Sequence, residues 1–512
     1  MTVRQPGTGA RLLLLAAALF AAMRPALLRA QDGEHSAPAS TRGDRHSEGW
    51  ERAMRLKGPP LPPKFPRIGG EIERTVLENG LVLYMQEDHR LPLLDVTVLV
   101  RTGSYYEAPE ELRTASLLGE LLRTGGTKSY SPEELDERLD FIAAELSVSM
   151  QAEQCSVSLN VPAKDAPEAL RILAEVLRYP ALDAERLELE KQQALYALRA
   201  SNDSPSSVLQ REFRRLLYTE AHPGGRYPTF ERIRAITRED LLRFHQKFFH
   251  PNQIMIGVVG DFQRAEMLAT MKALFGDWPR QEVALPPLPK VNPTPRPGVF
   301  YVQKAVNQSN LWLAHWGVNR ENPDRFAIDL MNDILGGSGL NSRLAERVRN
   351  DEGLAYSVGS FYNTGLRDVN FFVALAQTKT ESTVQAIQSM IDEIQKMRSG
   401  SISKNEFDSA KEMFLYSQVF RFAEPARALS ALMNLEYEGL PMDYLEKEFA
   451  SYQAVTAADI QRVARQYLRP EQLTIFIVGD ATKFKEQAAA LGPVQEITPF
   501  QFGGEERSSA QP

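Results

Sequence analysis

The chain has 512 residues, enough for two or more domains that each bury a hydrophobic core of their own. Apolar residues make up 43% and charged residues 24%, as in ordinary soluble globular proteins, and a net charge of -7 argues against nucleic-acid binding, which usually needs a basic face. Cys155 is the only cysteine, so the composition excludes a disulfide framework and a thiolate metal site.

Residues 1–30 have the order of a secretory signal peptide. Arg4 and Arg11 precede the apolar run 12–23, and Leu28-Arg-Ala30 offers a small-residue cleavage site. The apolar run is too short to span a bilayer comfortably. We therefore expect an exported protein, in the periplasm, with no stable membrane span after the signal is removed; a retained membrane anchor is the alternative.

A polar and then proline-rich segment, residues 31–65, predicts a disordered tether, and a first lobe follows over residues 66–278. Asn79-Gly80 between two apolar runs predicts the opening hairpin of this lobe, and Ser131 before acidic residues predicts a helix N-cap. The other patterns predict strands at 93–101 and 147–161, helices near 131–146, 164–179, 183–202, 205–219 and 229–249, a buried strand at 254–261 and a last helix to Phe275.

Residues 279–297 are rich in proline and predict a linker, because each proline removes a hydrogen-bond donor and fixes φ. A second lobe, residues 298–495, repeats the order of the first, and residues 496–512 predict a disordered tail. The patterns of the second lobe predict strands near 299–304, 309–317, 356–364 and 368–377, and helices near 322–335, 340–351, 379–398, 403–422, 425–438 and 442–451.

An internal repeat relates the two lobes. Six residues recur at a constant offset of 219 positions, as from Asp261 to Asp480. The set comprises Thr237, Asp240, Arg243, Pro251, Gly260 and Asp261, matched by Thr456, Asp459, Arg462, Pro470, Gly479 and Asp480. We predict an α+β fold of two homologous lobes, each a mostly antiparallel sheet packed with helices.

The stretch 114–127 has the spacing of a metal-binding motif but lacks the metal-binding residues. Leu117, Glu120 and Leu121 stand at the offsets of the inverted zinc motif H-x-x-E-H, in which two histidines hold the metal and the glutamate is the general base. A leucine cannot ligate a metal, and the stretch contains no histidine. None of the seven histidines of the chain has a partner at ligand spacing beside an acid. The pattern predicts a metallopeptidase scaffold that binds no metal.

Four segments carry a resemblance to a known family. Leu77-Glu-Asn-Gly80 and Gly126-Thr-Lys128 lie in the first lobe, and residues 335–349 and 353–358 lie in the second. With these segments, residues 70–495 resemble the insulinase/pitrilysin-like (inverzincin) metallopeptidases, above all the bacterial two-lobe members, the mitochondrial processing peptidase and the cytochrome bc1 core subunits. The resemblance implies the two-lobe metallohydrolase fold of that family.

The resemblance also implies where a third zinc ligand would stand. Active members carry a glutamate on a later helix of the first lobe, and the corresponding position is Ala197. All three ligand positions are therefore lost, and only Glu120, at the general-base position, is kept. Since it has no metal-bound water to activate, we expect Glu120 in solvent or in a salt bridge on a packed helix.

Arg349 and Tyr356 match an arginine and a tyrosine of the family's second lobe. In the family this pair reaches over the zinc site, binds the substrate backbone and stabilises the oxyanion. The resemblance therefore implies a substrate-binding role for Arg349 and Tyr356, although this chain has no catalytic residues of its own. The alternative is a helix-surface salt bridge and a half-buried strand tyrosine without a function.

These expectations favour a non-catalytic subunit of an exported, heterodimeric insulinase-like peptidase. A catalytic partner with an intact zinc motif would hold the zinc. This chain, without a cofactor, would close the chamber and supply Arg349 and Tyr356 to a bound peptide. The rival hypothesis is a non-enzymatic scaffold or peptide-binding protein with the same fold. Zinc proteolysis by this chain alone is the least favoured hypothesis.

Overall fold

The computed structural model describes residues 62–365 and 369–503. The predicted signal peptide, most of the predicted tether and residues 504–512 of the predicted tail lie outside the described residues. All the described residues belong to one unit, which contains both lobes. Within the described ranges, no helix is long and apolar enough to cross a bilayer.

The first lobe is a six-stranded sheet with helices packed on one face. Its strands are β1 (Glu73–Val76), β2 (Val82–Glu87), β3 (Leu93–Val100), β4 (Glu145–Met150), β5 (Cys155–Pro162) and β6 (Ile254–Gly260). Its helices are α1 (Thr114–Thr124), α2 (Pro132–Phe141), α3 (Ala166–Arg178), α4 (Ala184–Ser201), α5 (Pro205–Tyr218), α6 (Phe230–Ala235), α7 (Arg238–Phe248) and α8 (Arg264–Phe275). The strand order is β1-β2-β6-β3-β5-β4, and only the β2–β6 pair is parallel.

The second lobe has a sheet of the same kind. Its strands are β7 (Gly298–Gln303), β8 (Gln308–Trp316), β9 (Ala355–Tyr362), β10 (Phe371–Lys379), β11 (Thr474–Gly479) and β12 (Val494–Glu496). Its helices are α9 (Arg325–Asn332), α10 (Thr383–Ser399), α11 (Lys404–Arg421), α12 (Pro425–Glu438), α13 (Tyr444–Ala454), α14 (Ala457–Tyr467) and α15 (Lys485–Ala488). The order is β12-β7-β11-β8-β10-β9, with β7 parallel to β11 and to β12.

The two lobes are homologous in topology, which confirms the predicted fold class. The order β2-β6-β3-β5-β4 of the first sheet corresponds to β7-β11-β8-β10-β9 of the second. The repeat residues have the same local roles in both lobes. Thr237 and Asp240 cap the start of α7 by exchanging side-chain and backbone hydrogen bonds, and Thr456 and Asp459 do so at α14. The strands β6 and β11 both end at the repeat glycine and are buried along their whole length.

One helix of each lobe packs on the sheet of the other lobe. Helix α5 places Phe213 on the outer face of the second sheet against Phe476, and α12 places Met433 on the outer face of the first sheet at Gly257. Positions 257 and 476 are related by the repeat offset, so the two contacts are equivalent. A Cβ at Gly257 would collide with Leu429 and Met433, so the glycine permits this close approach.

Three predicted elements differ in the structure. Helix α2 ends at Phe141 instead of near residue 146, because Ala143 has a φ of 50° and a left-handed residue cannot continue a right-handed helix. The helix predicted over 229–249 is divided into α6 and α7, because the side chain of Thr237 caps the second of them. The helix predicted over 340–351 is a short 3₁₀ turn followed by a π-helical turn, Ala345–Asp351.

The prediction of a disordered tail is wrong for residues 496–503. Phe502 is only 3% exposed, and its carbonyl accepts a hydrogen bond of 2.7 Å from the Phe230 N–H. The Phe500 N–H donates to Oε1 of Glu212 at 2.9 Å. The segment is ordered because its two aromatic side chains bind to helices of the first lobe, which the local sequence does not indicate.

The segments on either side of the first lobe also have defined positions. Phe65, from the end of the predicted tether, packs against Phe422 and Phe449, with ring centroids 5.6 and 5.7 Å away. The prediction of disorder is therefore wrong for residues 62–65, because an aromatic ring that can be buried orders the backbone that carries it. Residues 279–297, the predicted linker, contain neither helix nor strand.

Candidate functional site: the former metal face and its neighbours

Helix α1 carries the residues that correspond to the zinc motif. It packs against β4, α4 and α7, and Leu117 and Leu121 are completely buried in the core of the first lobe. Burying one leucine stabilises a fold by roughly 2 kcal/mol. Both positions therefore contribute to folding, and neither side chain has an atom that can bind a metal.

Glu120, the residue at the general-base position, forms a salt bridge. Nη2 of Arg113 lies 2.8 Å from Oε1 of Glu120, while Oε2 is buried and has no hydrogen-bond partner among the described residues. Burial raises the pKa of Glu120; the charge of Arg113 opposes this effect, and the charge of Glu190 adds to it. The carboxylate is bound to an arginine where an active enzyme would place it beside a metal.

Ala197, the residue predicted at the third ligand position, shares a cavity wall with residues of the α1 region. It is exposed on α4 and lines a cavity of about 400 Å³, whose wall also includes Arg113 and Ser116 of the α1 region. A methyl group cannot bind a metal. Within the described ranges, no group of three His, Cys, Asp or Glu side chains could hold a metal ion. The residues of this former metal face (Leu117, Glu120, Leu121 and Ala197) therefore do not fit zinc.

Two buried histidines have structural partners instead of ligand partners. Nε2 of His245 lies 2.9 Å from the Leu177 carbonyl oxygen, and burial lowers the pKa of His245 to about 4. Nδ1 of His315 lies 2.9 Å from the Trp316 carbonyl oxygen, and burial lowers the pKa of His315 to about 4 as well. Both rings are neutral at neutral pH and belong to the packing of the two lobes.

Arg349 and Tyr356 meet at the surface of the second lobe. Arg349 lies in the π-helical turn that ends at Asp351, and Tyr356 lies in β9, an edge strand. The guanidinium carbon of Arg349 is 5.8 Å from the centroid of the Tyr356 ring, which is a cation–π contact. Tyr356 is 75% exposed, and Arg349 has no ion pair with a described residue. Among the described residues, Arg349 thus forms no surface salt bridge, and Tyr356 is exposed instead of half-buried.

The cavity beside α1 does not include this pair. All the residues that line it fall between positions 104 and 233, in the chain of the first lobe. Arg349 and Tyr356 are therefore not part of the wall of this cavity.

Two family models match the chain. The model for insulinase, peptidase family M16, matches residues 83–224, and the model for the peptidase M16 inactive domain matches residues 235–414. Together they cover more than half of the chain. The chain belongs to the insulinase family. This result confirms the resemblance that the motif segments indicated, and the second of the two matches is to a domain described as inactive.

Insulinase-family proteins of bacteria resemble the chain along most of its length. An uncharacterised zinc protease of Streptomyces coelicolor is 23% identical over 413 residues, 78% of this chain and 88% of the relative. The non-peptidase homologue YmxG of Helicobacter pylori is 24% identical over 407 residues, 79% of this chain and 93% of the relative. The crystal structure of a peptidase M16 inactive domain from Pseudomonas fluorescens has a TM-score of 0.70 at 22% identity and covers 80% of this chain and 97% of its own. The relatives include both proteases and a non-peptidase, so membership of the family does not decide activity.

The cavity beside α1 contains hydrogen-bond donors that the sequence analysis missed. Tyr105, Arg214 and Tyr227 line it. Arg214 comes from α5, the helix of the first lobe that packs on the second sheet. Burial raises the pKa of both tyrosines, and the nearby charge of Arg214 acts against this rise. The three residues come from separate elements and share no motif, so no local sequence signal could have found them.

Glu107 is the carboxylate of the same cavity. Its oxygens accept hydrogen bonds from the backbone N–H groups of Ala115, at 2.6 Å, and Arg113, at 3.3 Å. Burial raises the pKa of Glu107 to about 7, although these two hydrogen bonds lower it. Glu107 thus fixes the backbone at the start of α1 and is only partly ionised at neutral pH.

Proposed function

We propose that this chain is a non-catalytic subunit of an exported insulinase-family zinc peptidase. The observation that carries the proposal is a contrast between the two lobes. The zinc-ligand positions of the first lobe hold Leu117, Leu121 and Ala197, two of them buried in the core, whereas Arg349 and Tyr356 of the second lobe remain paired and exposed. Exposed donors that have no hydrogen-bond or ion-pair partner among the described residues are suited to act on a second chain.

The chemistry of the pair supports a role in substrate binding. The guanidinium of Arg349 is a fixed cation with several N–H donors, and Tyr356 offers a neutral hydroxyl donor. Held together by the cation–π contact, they can bind the carbonyl oxygens of a peptide backbone and stabilise negative charge that develops on a carbonyl oxygen. The partner subunit would supply the intact zinc motif and hold the zinc, so that this chain needs no cofactor.

The first thirty residues support export to the periplasm, where a peptidase of this kind would meet its peptide substrates. The names of the bacterial relatives, which include zinc proteases and a non-peptidase homologue, are compatible with families in which catalytic and non-catalytic chains occur side by side. A gene for a chain with an intact H-x-x-E-H motif beside the gene for this chain would add further support.

The test is to recover the tagged chain from the exported fraction and identify the proteins that purify with it. We expect a stoichiometric partner that carries H-x-x-E-H, and cleavage of a quenched peptide by the complex. Replacing Tyr356→Phe or Arg349→Gln should lower kcat/KM by about tenfold to a hundredfold, since one donor to a developing oxyanion is worth about this much or more. Zinc content and assembly of the complex should not change.

Tyr196→Phe is the matched control, because Tyr196 is also a highly exposed tyrosine, 72% accessible, but lies on α4 of the first lobe. It should leave cleavage unchanged. A chain that purifies without a motif-bearing partner, and whose cellular role is indifferent to the loss of Arg349 and Tyr356, would favour the non-enzymatic scaffold and reject the subunit.

A further inference from the structure

Three hydrogen-bond donors converge on the cavity beside α1. Tyr105 lies in a 3₁₀ turn after β3, Tyr227 lies in the loop before α6, and Arg214 lies on α5. All three side chains line this one cavity of about 400 Å³. Their chemistry, one guanidinium and two phenols, is that of a receptor for an anion.

The charge of Arg214 is not neutralised within the described part of the chain. Arg214 is exposed and has no ion pair or hydrogen bond with a described residue. The other two arginines of the cavity are engaged: Arg113 binds Glu120, and Arg226 donates to the carbonyls of Glu220 and Ala221 at 2.8 and 3.1 Å. Glu107 is the carboxylate of this cavity, and because burial raises its pKa to about 7 it only partly offsets the arginines, so the cavity has an excess of positive charge.

The tyrosine hydroxyls are likewise free to donate. Neither the hydroxyl of Tyr105 nor that of Tyr227 forms a hydrogen bond with a described residue. The ring of Tyr105 lies edge-on to His222, with centroids 5.5 Å apart, and a Cβ at Gly224 would come within 2.9 Å of its hydroxyl oxygen. The glycine therefore leaves room for this hydroxyl. The ring of Tyr227 is 6.3 Å from that of Phe500, in the ordered C-terminal segment. Both rings are positioned before any ligand arrives.

A second cavity also has Arg214 in its wall. It has a volume of about 460 Å³ and lies between α5 and the outer face of the second sheet. Its wall includes the aromatic rings of Trp312 and Phe361. It is also rich in side-chain amides, which can donate to and accept from a peptide backbone: Gln210, Asn310, Asn363, Asn370 and Gln377. An amide-lined and aromatic groove suits an extended peptide, and Arg214 belongs to its wall.

We propose that this groove binds the C-terminal segment of a peptide, with the α-carboxylate held by Arg214, Tyr105 and Tyr227. The main chain of the peptide would lie in the cavity at Trp312, and its terminal carboxylate would supply the missing counter-charge in the cavity beside α1. The bidentate geometry of a guanidinium fits a carboxylate, and two phenol donors complete the set. The site lies wholly within this chain and does not require a catalytic partner.

The test uses the purified full chain and two pools of fluorescein-labelled random peptides about ten residues long, identical except that one ends in a carboxylate and the other in an amide. We expect the carboxylate pool to bind at least about tenfold more tightly, which corresponds to a difference of about 1.4 kcal/mol. Binding should also change the fluorescence of Trp312, so the response should be smaller in Trp312→Phe.

Arg214→Met and Tyr227→Phe keep the bulk of each side chain and should remove most of the preference for the carboxylate pool. Arg171→Met is the matched control, because Arg171 is an exposed arginine of α3 away from the cavity, and it should bind both pools like the original chain. Circular dichroism of each variant will show whether the fold is kept.

Equal binding of the two pools, or an unchanged preference in both Arg214→Met and Tyr227→Phe, would overturn the proposal. Displacement of the carboxylate pool by inorganic phosphate at the concentration of the peptide would assign the site to a small anion and would also overturn it. Because no partner is present in the assay, failure here would leave the proposed subunit role standing, and failure of the subunit role would leave this site standing.

Discussion

Because α5 and α12 each pack on the sheet of the other lobe, we predict that the two lobes unfold together. Phe213 of α5 is completely buried, and its ring lies edge-on to Trp312, Phe371 and Phe476 of the second sheet at centroid distances of 5.1, 5.4 and 6.4 Å. Phe213→Ala should therefore lower the free energy of unfolding by about 4 kcal/mol, since truncating a buried phenylalanine costs about 3–5 kcal/mol.

Urea unfolding followed by circular dichroism will measure this loss, and hydrogen exchange with mass spectrometry will locate it. Although the aromatic contacts of Phe213 given above are all with the second sheet, the loosening of α5 should raise hydrogen exchange in both central strands, β6 of the first lobe and β11 of the second. Met433→Ala, the equivalent change on α12, should cost about 3 kcal/mol and raise exchange in the same two strands.

Phe141→Ala is the control, because Phe141 is 77% exposed and its loss should be nearly neutral. If Phe213→Ala lowered the free energy of unfolding by less than about 1 kcal/mol, the packing contribution assigned to α5 would be refuted. Increased exchange that is confined to β11 would refute the coupling of the lobes.

Two further predictions concern buried groups of the first lobe. Glu107 keeps its proton in the folded chain up to a pKa of about 7, against an ordinary value of 4.5, so its burial lowers stability as the pH rises through that window. The free energy of unfolding of Glu107→Gln, relative to that of the original chain, should therefore rise by about 3 kcal/mol between about pH 5 and pH 8. Urea unfolding at each pH measures this difference. An identical pH dependence of the two chains would contradict the prediction. Phe502→Ala should cost about 3 kcal/mol and lower the Tm, because it removes a buried ring beside Phe230; an unchanged Tm would show that the C-terminal segment does not stabilise the first lobe.

Much of the fold could be predicted from the sequence because the signals are local and occur twice. The threonine and aspartate at the start of α7 and α14, and the apolar strands that follow, recur at one offset and have the same roles in both lobes. The burial of Leu117 and Leu121 is likewise a local feature, since the two residues lie one turn apart on a single helix.

The rest depends on contacts between distant segments. Nothing in the sequence of α5 or α12 indicates that each helix packs on the sheet of the other lobe. The ordered C-terminal segment depends on a site made by other helices, and the donors Tyr105, Arg214 and Tyr227 come together only in the folded chain. These features follow from tertiary packing, which periodicity and capping signals do not encode.

The most direct test of the central claim, that this insulinase-family chain has no zinc site of its own, is its zinc content. The purified full chain would be equilibrated with zinc, dialysed and measured by plasma mass spectrometry, beside the variant Glu120→Gln. We predict no zinc above the level of a buffer control in either protein, because Leu117, Leu121 and Ala197 offer no ligand atoms. One tightly held zinc per chain, in the original protein or in Glu120→Gln, would contradict the claim.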